Sequence, residues 1–142
     1  MSWQAGHIVV GFVSSVDLAT ATARVRFPDR DDLVSGALQV IQRHTKETTS
    51  YDMPAVDEHV VCLLFGTGIE EGVILGSLYD RRNAPPETGE VIYTQTPTGG
   101  KIIFHLDTEE LEMIASGGVT IISDINVTGG IITTGDVVAG GI

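Results

Sequence analysis

The chain has 142 residues, 42% hydrophobic and 19% charged, which is enough apolar content to fold and room for one domain or a small domain with an appendage. Its net charge of −11 repels phosphate backbones, and its eight Lys and Arg residues form no run, so the electrostatic footprint of nucleic-acid binding is missing. The single cysteine, Cys62, excludes an intrachain disulfide and a thiolate metal cluster.

The opening MSWQAGHIVV has neither a basic nor an apolar signal region, and apolar runs such as Val60 to Phe65 are too short to span a bilayer. A protein soluble at synthesis is expected. Ile8 to Ser15 is apolar and β-branched, and Asp17-Leu18-Ala19 reads as a turn. From Thr20 to Phe27 the residues Thr22, Arg24 and Arg26 alternate with Ala21, Ala23, Val25 and Phe27, the period-2 signature of a half-buried strand. A polar loop over 28–32 ends it. Leu38 to Gln42 is a third strand, followed by a polar stretch to Asp52. His59 to Phe65 and Gly72 to Tyr79 form an apolar pair joined around Gly66-Thr67-Gly68. Five strands without helical periodicity predict a compact β-barrel such as an OB-fold. Cys62 sits between Val61 and Leu63 and reads as a buried core residue, not a nucleophile.

Arg81 to Glu90, RRNAPPETGE, is the best domain boundary in the chain. It divides the chain into a base at 1–85, a transition at 86–97 and a third region at 98–142. Beyond it, glycine pairs recur at Gly99-Gly100, Gly117-Gly118, Gly129-Gly130 and Gly140-Gly141, each leading into β-branched residues. Short strands at near-regular spacing with glycine turns predict a β-helix or solenoid. Glycine is placed there to permit sharp reversals and close backbone approach. The apolar row Val119, Ile121, Ile125, Val127, Ile131 and Val137 has nothing else in the chain to pack against, because the barrel has its own core. Open strand edges and an uncovered apolar row call for other copies of the chain, wrapped about one axis. A three-fold prism is the simplest closed arrangement.

Several further groups invite chemistry. His44 and His59 have no carboxylate or Cys/His partner at ligand spacing and read as structural or surface residues. Ile102, Phe104 and Leu106 alternate with Ile103, His105 and Asp107, which turns His105 to solvent. Asp107, Glu109, Glu110 and Glu112 read as a charged rim that keeps strand edges soluble, and Asp124 and Asp136 as turn residues. Thr98-Gly99-Gly100-Lys101 lacks the spacing and the following helix of a phosphate loop. Arg24 and Arg26 share one face of their strand, but stacking aromatics for nucleic acid are missing.

Four segments in order carry a resemblance: Gly11-Phe12-Val13-Ser14-Ser15-Val16-Asp17, Ala23-Arg24-Val25-Arg26-Phe27-Pro28-Asp29, the run from Tyr51 to Val60, and the run from Gly72 to Asp80. This pattern resembles the phage baseplate assembly protein V family, the spike proteins at the tip of contractile tails. It covers roughly residues 5 to 85, and the ending Gly135-Asp136-Val137-Val138-Ala139-Gly140-Gly141-Ile142 is similar to that family's needle. The resemblance implies an OB-fold base, a needle of antiparallel strands intertwined in a homotrimer, docking to tail hub and baseplate proteins, and piercing of the bacterial envelope. It places the protein in the virion after assembly in the host cytoplasm, as a mechanical part and not an enzyme. The family's needle commonly ends in a His-x-His apex that holds iron; His7, His44, His59 and His105 form no such pair, so no cofactor is expected, and either the apex has been removed or a separate tip protein caps the needle. The alternative is an OB-fold nucleic-acid-binding module with a β-rich oligomerisation tail.

Overall fold

The computed structural model describes residues 6–140, so Gly141 and Ile142, the end of the last glycine unit, lie outside the described residues. The described chain is all-β, with no α-helix, and divides into two compact units, Met1–Pro86 and Glu87–Ile142. The division falls beside the boundary expected at residue 85.

The first unit contains strands β1 (His7–Asp17), β2 (Thr22–Phe27), β3 (Leu33–Val34), β4 (Leu38–Val40), β5 (His59–Leu64) and β6 (Gly72–Ser77). Their neighbour order is β1-β5-β6-β4-β2-β3, and β1 also pairs with β2. That extra pairing closes a five-stranded barrel, consistent with an OB-like barrel, with β3 appended to the outside of β2. Closure depends on β1 serving two partners: His7 to Phe12 pair with β5, while Phe12 to Asp17 pair with β2. A bulge between Val13 and Ser15 adds the bend that lets one strand turn from one neighbour to the other. Gly11 stands at the crossing. A Cβ there would meet the Arg26 carbonyl oxygen and Val25 Cγ1, both at 2.6 Å, so only glycine allows the strands to approach.

Alternation along β2 and β5 sends Ala23, Val25 and Phe27 inward with Val60, Cys62 and Leu64, and Val13, Leu38 and Ile74 complete the core. Thr22, Arg24 and Arg26 lie on the opposite face, as the period-2 pattern requires. Cys62 is a fully buried free thiol, and burial pushes its pKa up to about 11. A thiol kept protonated in an apolar core packs and does not react.

Ser35 is the one buried polar residue among those described. Its Oγ accepts a hydrogen bond from the Val25 N–H at 3.0 Å and donates one to the Gly36 carbonyl at 2.7 Å. It thereby completes the β2 ladder where β3 ends. Ser35→Ala would leave the Val25 N–H unpaired in the core, and we expect a loss of about 1–3 kcal/mol in urea denaturation. An unchanged midpoint would mean that another group or a water takes over the bond.

The second unit begins with a three-stranded antiparallel sheet, β7 (Val91–Gln95), β8 (Lys101–His105) and β9 (Leu111–Ile114), in that order. The stretch 86–97, expected as a transition, therefore supplies a strand. Thr98-Gly99-Gly100-Lys101 is the β7–β8 hairpin turn: the Thr96 N–H donates to the Gly100 carbonyl at 2.7 Å, and Gly99 has φ +89°. The β8–β9 turn places Glu109 in the left-handed region at φ +60°. From 115 to 140 the described chain has no strand. Gly118 and Gly129 have φ of +88° and +133°, while Gly117, Gly130 and Gly140 remain outside the left-handed region.

Candidate assembly surface

The register of the second unit's sheet sorts its side chains onto two unlike faces. Ile92, Phe104 and Leu111 lie opposite one another across the three strands, and Ile102 and Met113 form the next row with Thr94. This face is almost wholly apolar. The other face carries Val91, Tyr93, Lys101, Ile103, His105 and Glu112, with the exposed Gln95 and Ile114 at its end beside Lys101, and Glu87 folds onto it. Lys101 Nζ is 2.5 Å from Glu87 Oε1, and the Glu87 N–H donates to Tyr93 Oη at 3.3 Å. The hydrogen bond to Glu87 is the main cause raising the Lys101 pKa, so this ammonium stays charged.

The polar face is therefore the covered one. Ile103 is 2% exposed beneath it, while Ile92, Ile102 and Leu111 on the apolar face are 66%, 52% and 58% exposed. A sheet that shelters its charged face and bares its apolar face has the character of an interaction surface on the bare side.

The apolar surface continues along the chain. Val119, Ile121, Ile125, Val127, Ile131 and Val137 are between 51% and 74% exposed, whereas Ile122, Ile132 and Val138 are at least 90% exposed. Between residues 119 and 140 no backbone–backbone hydrogen bond is formed among the described residues. β-branched backbone without ladder partners has the chemistry of an unpaired strand edge. Asp124 and Asp136 are exposed on the same segment.

His105 differs from its sequence expectation. It is half-buried, and its Nε2 lies 2.7 Å from Glu112 Oε1. That hydrogen bond is the main cause lowering the Glu112 pKa, followed by a contact with Glu110. The reason is the covered polar face, which holds both residues against the sheet. Asp107, Glu109 and Glu110 are exposed, as a rim would be.

On the barrel, sequence reasoning missed an aromatic cluster. Phe12 stacks on His59 with ring centroids 4.9 Å apart, and the guanidinium carbons of Arg26 and Arg82 lie 5.4 and 5.7 Å from the Phe12 centroid. Arg26 also pairs with Asp32 at 2.7 Å, and Arg24 donates to the Ser35 carbonyl. His59 Nδ1 is 3.5 Å from Asp80 Oδ2, within ion-pair reach but without a hydrogen bond. Hydrogen bonds from the Asn83 and Arg82 N–H groups, that of Asn83 foremost, hold the Asp80 carboxyl below its usual range. His44 lies in the exposed loop between β4 and β5. The pairing of Phe12 with His59 follows from the β1–β5 register, which could have been read only once the strand partners were known.

Neither a protein-family model nor a curated protein matches this chain.

Proposed function

We propose that the chain is the structural spike of a contractile phage tail, with the barrel docked to the tail hub and residues 87–142 of three chains wound into a needle that pierces the bacterial outer membrane. The observation that carries this reading is the bare apolar face of the second sheet, together with the unpaired β-branched segment that follows it. Copies of the same segment satisfy both needs at once, because they bring apolar rows to cover the rows and strand edges to pair the edges. Each isoleucine or valine so covered contributes about 1.5–3 kcal/mol. Residues 87–142 also carry one basic residue, Lys101, against eight carboxylates, so the outside of such a needle is strongly acidic and soluble. Strands hydrogen-bonded between chains around a dry core give the axial stiffness a piercing part needs. The number three comes from the resemblance to baseplate spikes; the apolar face itself asks only for more copies.

The rival reading, an OB-fold nucleic-acid module, would use the Phe12 cluster. There the ring already stacks on His59 and has two guanidiniums against it, leaving no open platform for a base.

Electron microscopy of the purified protein tests the proposal. The expected particle is a rod with one globular end. Compact round particles would contradict it.

A further inference from the structure

Alternation places Glu110, just before β9, and Glu112 within it on one side of the hairpin, and the register that pairs Ile103 with Glu112 and Phe104 with Leu111 sets His105 across from Glu110 and diagonal to Glu112. The His105 N–H donates to the Glu110 carbonyl at 2.9 Å, which fixes the two backbones against each other at the mouth of the turn. Across this short span, one nitrogen of His105 and one oxygen each of Glu110 and Glu112 lie within 4.8 Å of one another. We infer that His105, Glu110 and Glu112 form a binding site for one divalent transition-metal ion per chain, of the zinc class, that clamps the β8–β9 hairpin.

The charge balance asks for a cation. Two carboxylates converge on one imidazole, and Lys101, the single basic residue in 87–142, is already engaged by Glu87 at 2.5 Å. A divalent ion neutralises both carboxylates, and it takes the place of the proton that now joins His105 Nε2 to Glu112 at 2.7 Å. The coordinating imidazole nitrogen must be bare, so in the bound state the neutral ring carries its proton on the other nitrogen.

The donor set selects the metal. One imidazole nitrogen with two carboxylate oxygens suits zinc, cobalt or nickel; calcium and magnesium take oxygen shells. Metal–ligand bonds of about 2.0–2.2 Å require the three donor atoms to close to about 3.5 Å of one another. The side chains of His105 and Glu112 are 29% and 41% exposed and Glu110 is exposed, so the carboxylates have room to swing in. Three protein ligands leave at least one position for water. The role assigned is bracing: the ion ties β8 to β9 across a turn that holds Glu109 at φ +60°. All three ligands come from one chain, so the site does not depend on the assembly proposed above.

The test uses full-length protein without a His-tag, stripped with a chelator and titrated with Zn2+ by calorimetry and with Co2+ by visible absorption. The expected result is one ion per chain, with Co2+ bands of low coordination number. Removing a ligand in His105→Ala, Glu110→Gln or Glu112→Gln should weaken binding by more than the roughly 10–100-fold that losing an outer-shell partner costs. His44→Ala should bind as the parent does. Circular dichroism checks each variant's fold, and if His105→Ala does not fold, the two Glu→Gln variants decide. No binding at millimolar Zn2+, or parent-like binding in folded variants lacking a ligand, would overturn the site. One ion per three chains would overturn it as well, because it would place the ligands on a shared axis.

Discussion

Ile125→Asp is expected to reduce the assembled protein to single chains while each barrel stays folded. Ile125 is 63% exposed in the single chain, so an aspartate there costs the isolated fold little. In an assembly about one axis, the same change brings several carboxylates into the dry core. Each unpaired buried charge costs several kcal/mol, more than the burial of one isoleucine returns. Asn126→Asp adds the same charge one residue on, where an extended chain points the side chain to the opposite side. Size-exclusion profiles of the two variants make the comparison: Ile125→Asp should elute as a monomer and Asn126→Asp as the parent. Equal behaviour would show that the inward and outward sides have been assigned wrongly.

A chain ending at Pro86 should fold and lose the assembly. The barrel closes on itself through β1 and has its own core of Val13, Val25, Phe27, Leu38, Val60, Leu64 and Ile74, so it needs nothing from the second unit. The surface assigned to assembly lies entirely in 87–142. Sedimentation equilibrium of the shortened chain should give the monomer mass or weak association, with a cooperative thermal transition. A tight oligomer would shift the main interface to the barrel.

Much of the barrel was legible because its strands are half-buried, and a half-buried strand writes its burial into alternate residues. Ala23, Val25 and Phe27 show it in β2, as do Val60, Cys62 and Leu64 in β5. The strand Leu33–Val34 left no such mark. Two residues carry no period, and the strand exists through pairing with Arg26 and Phe27. The bond from Tyr51 Oη to the Leu18 carbonyl, 33 residues away, is likewise a product of the closed barrel and of no local pattern.

In the second unit the alternation of Ile102 and Phe104 with Ile103 and His105 separated the two faces correctly, but it turned the His105 face to solvent, and that face is the one the single chain covers. Ile103 is buried on the face where Glu87 meets Lys101 and Tyr93, contacts that leave no periodic mark in the residues. The His105, Glu110 and Glu112 group escaped a search by sequence spacing because its members meet across a hairpin. A turn whose length cannot be read from the residues around it decides which carboxylate faces the imidazole.

The central claim is that the bare apolar surface of 87–142 is covered by further copies of the same segment. Light scattering coupled to size exclusion, at micromolar concentration, tests this most directly. A single peak at about three times the 15.1 kDa chain mass is expected. A peak at the mass of one chain would contradict it.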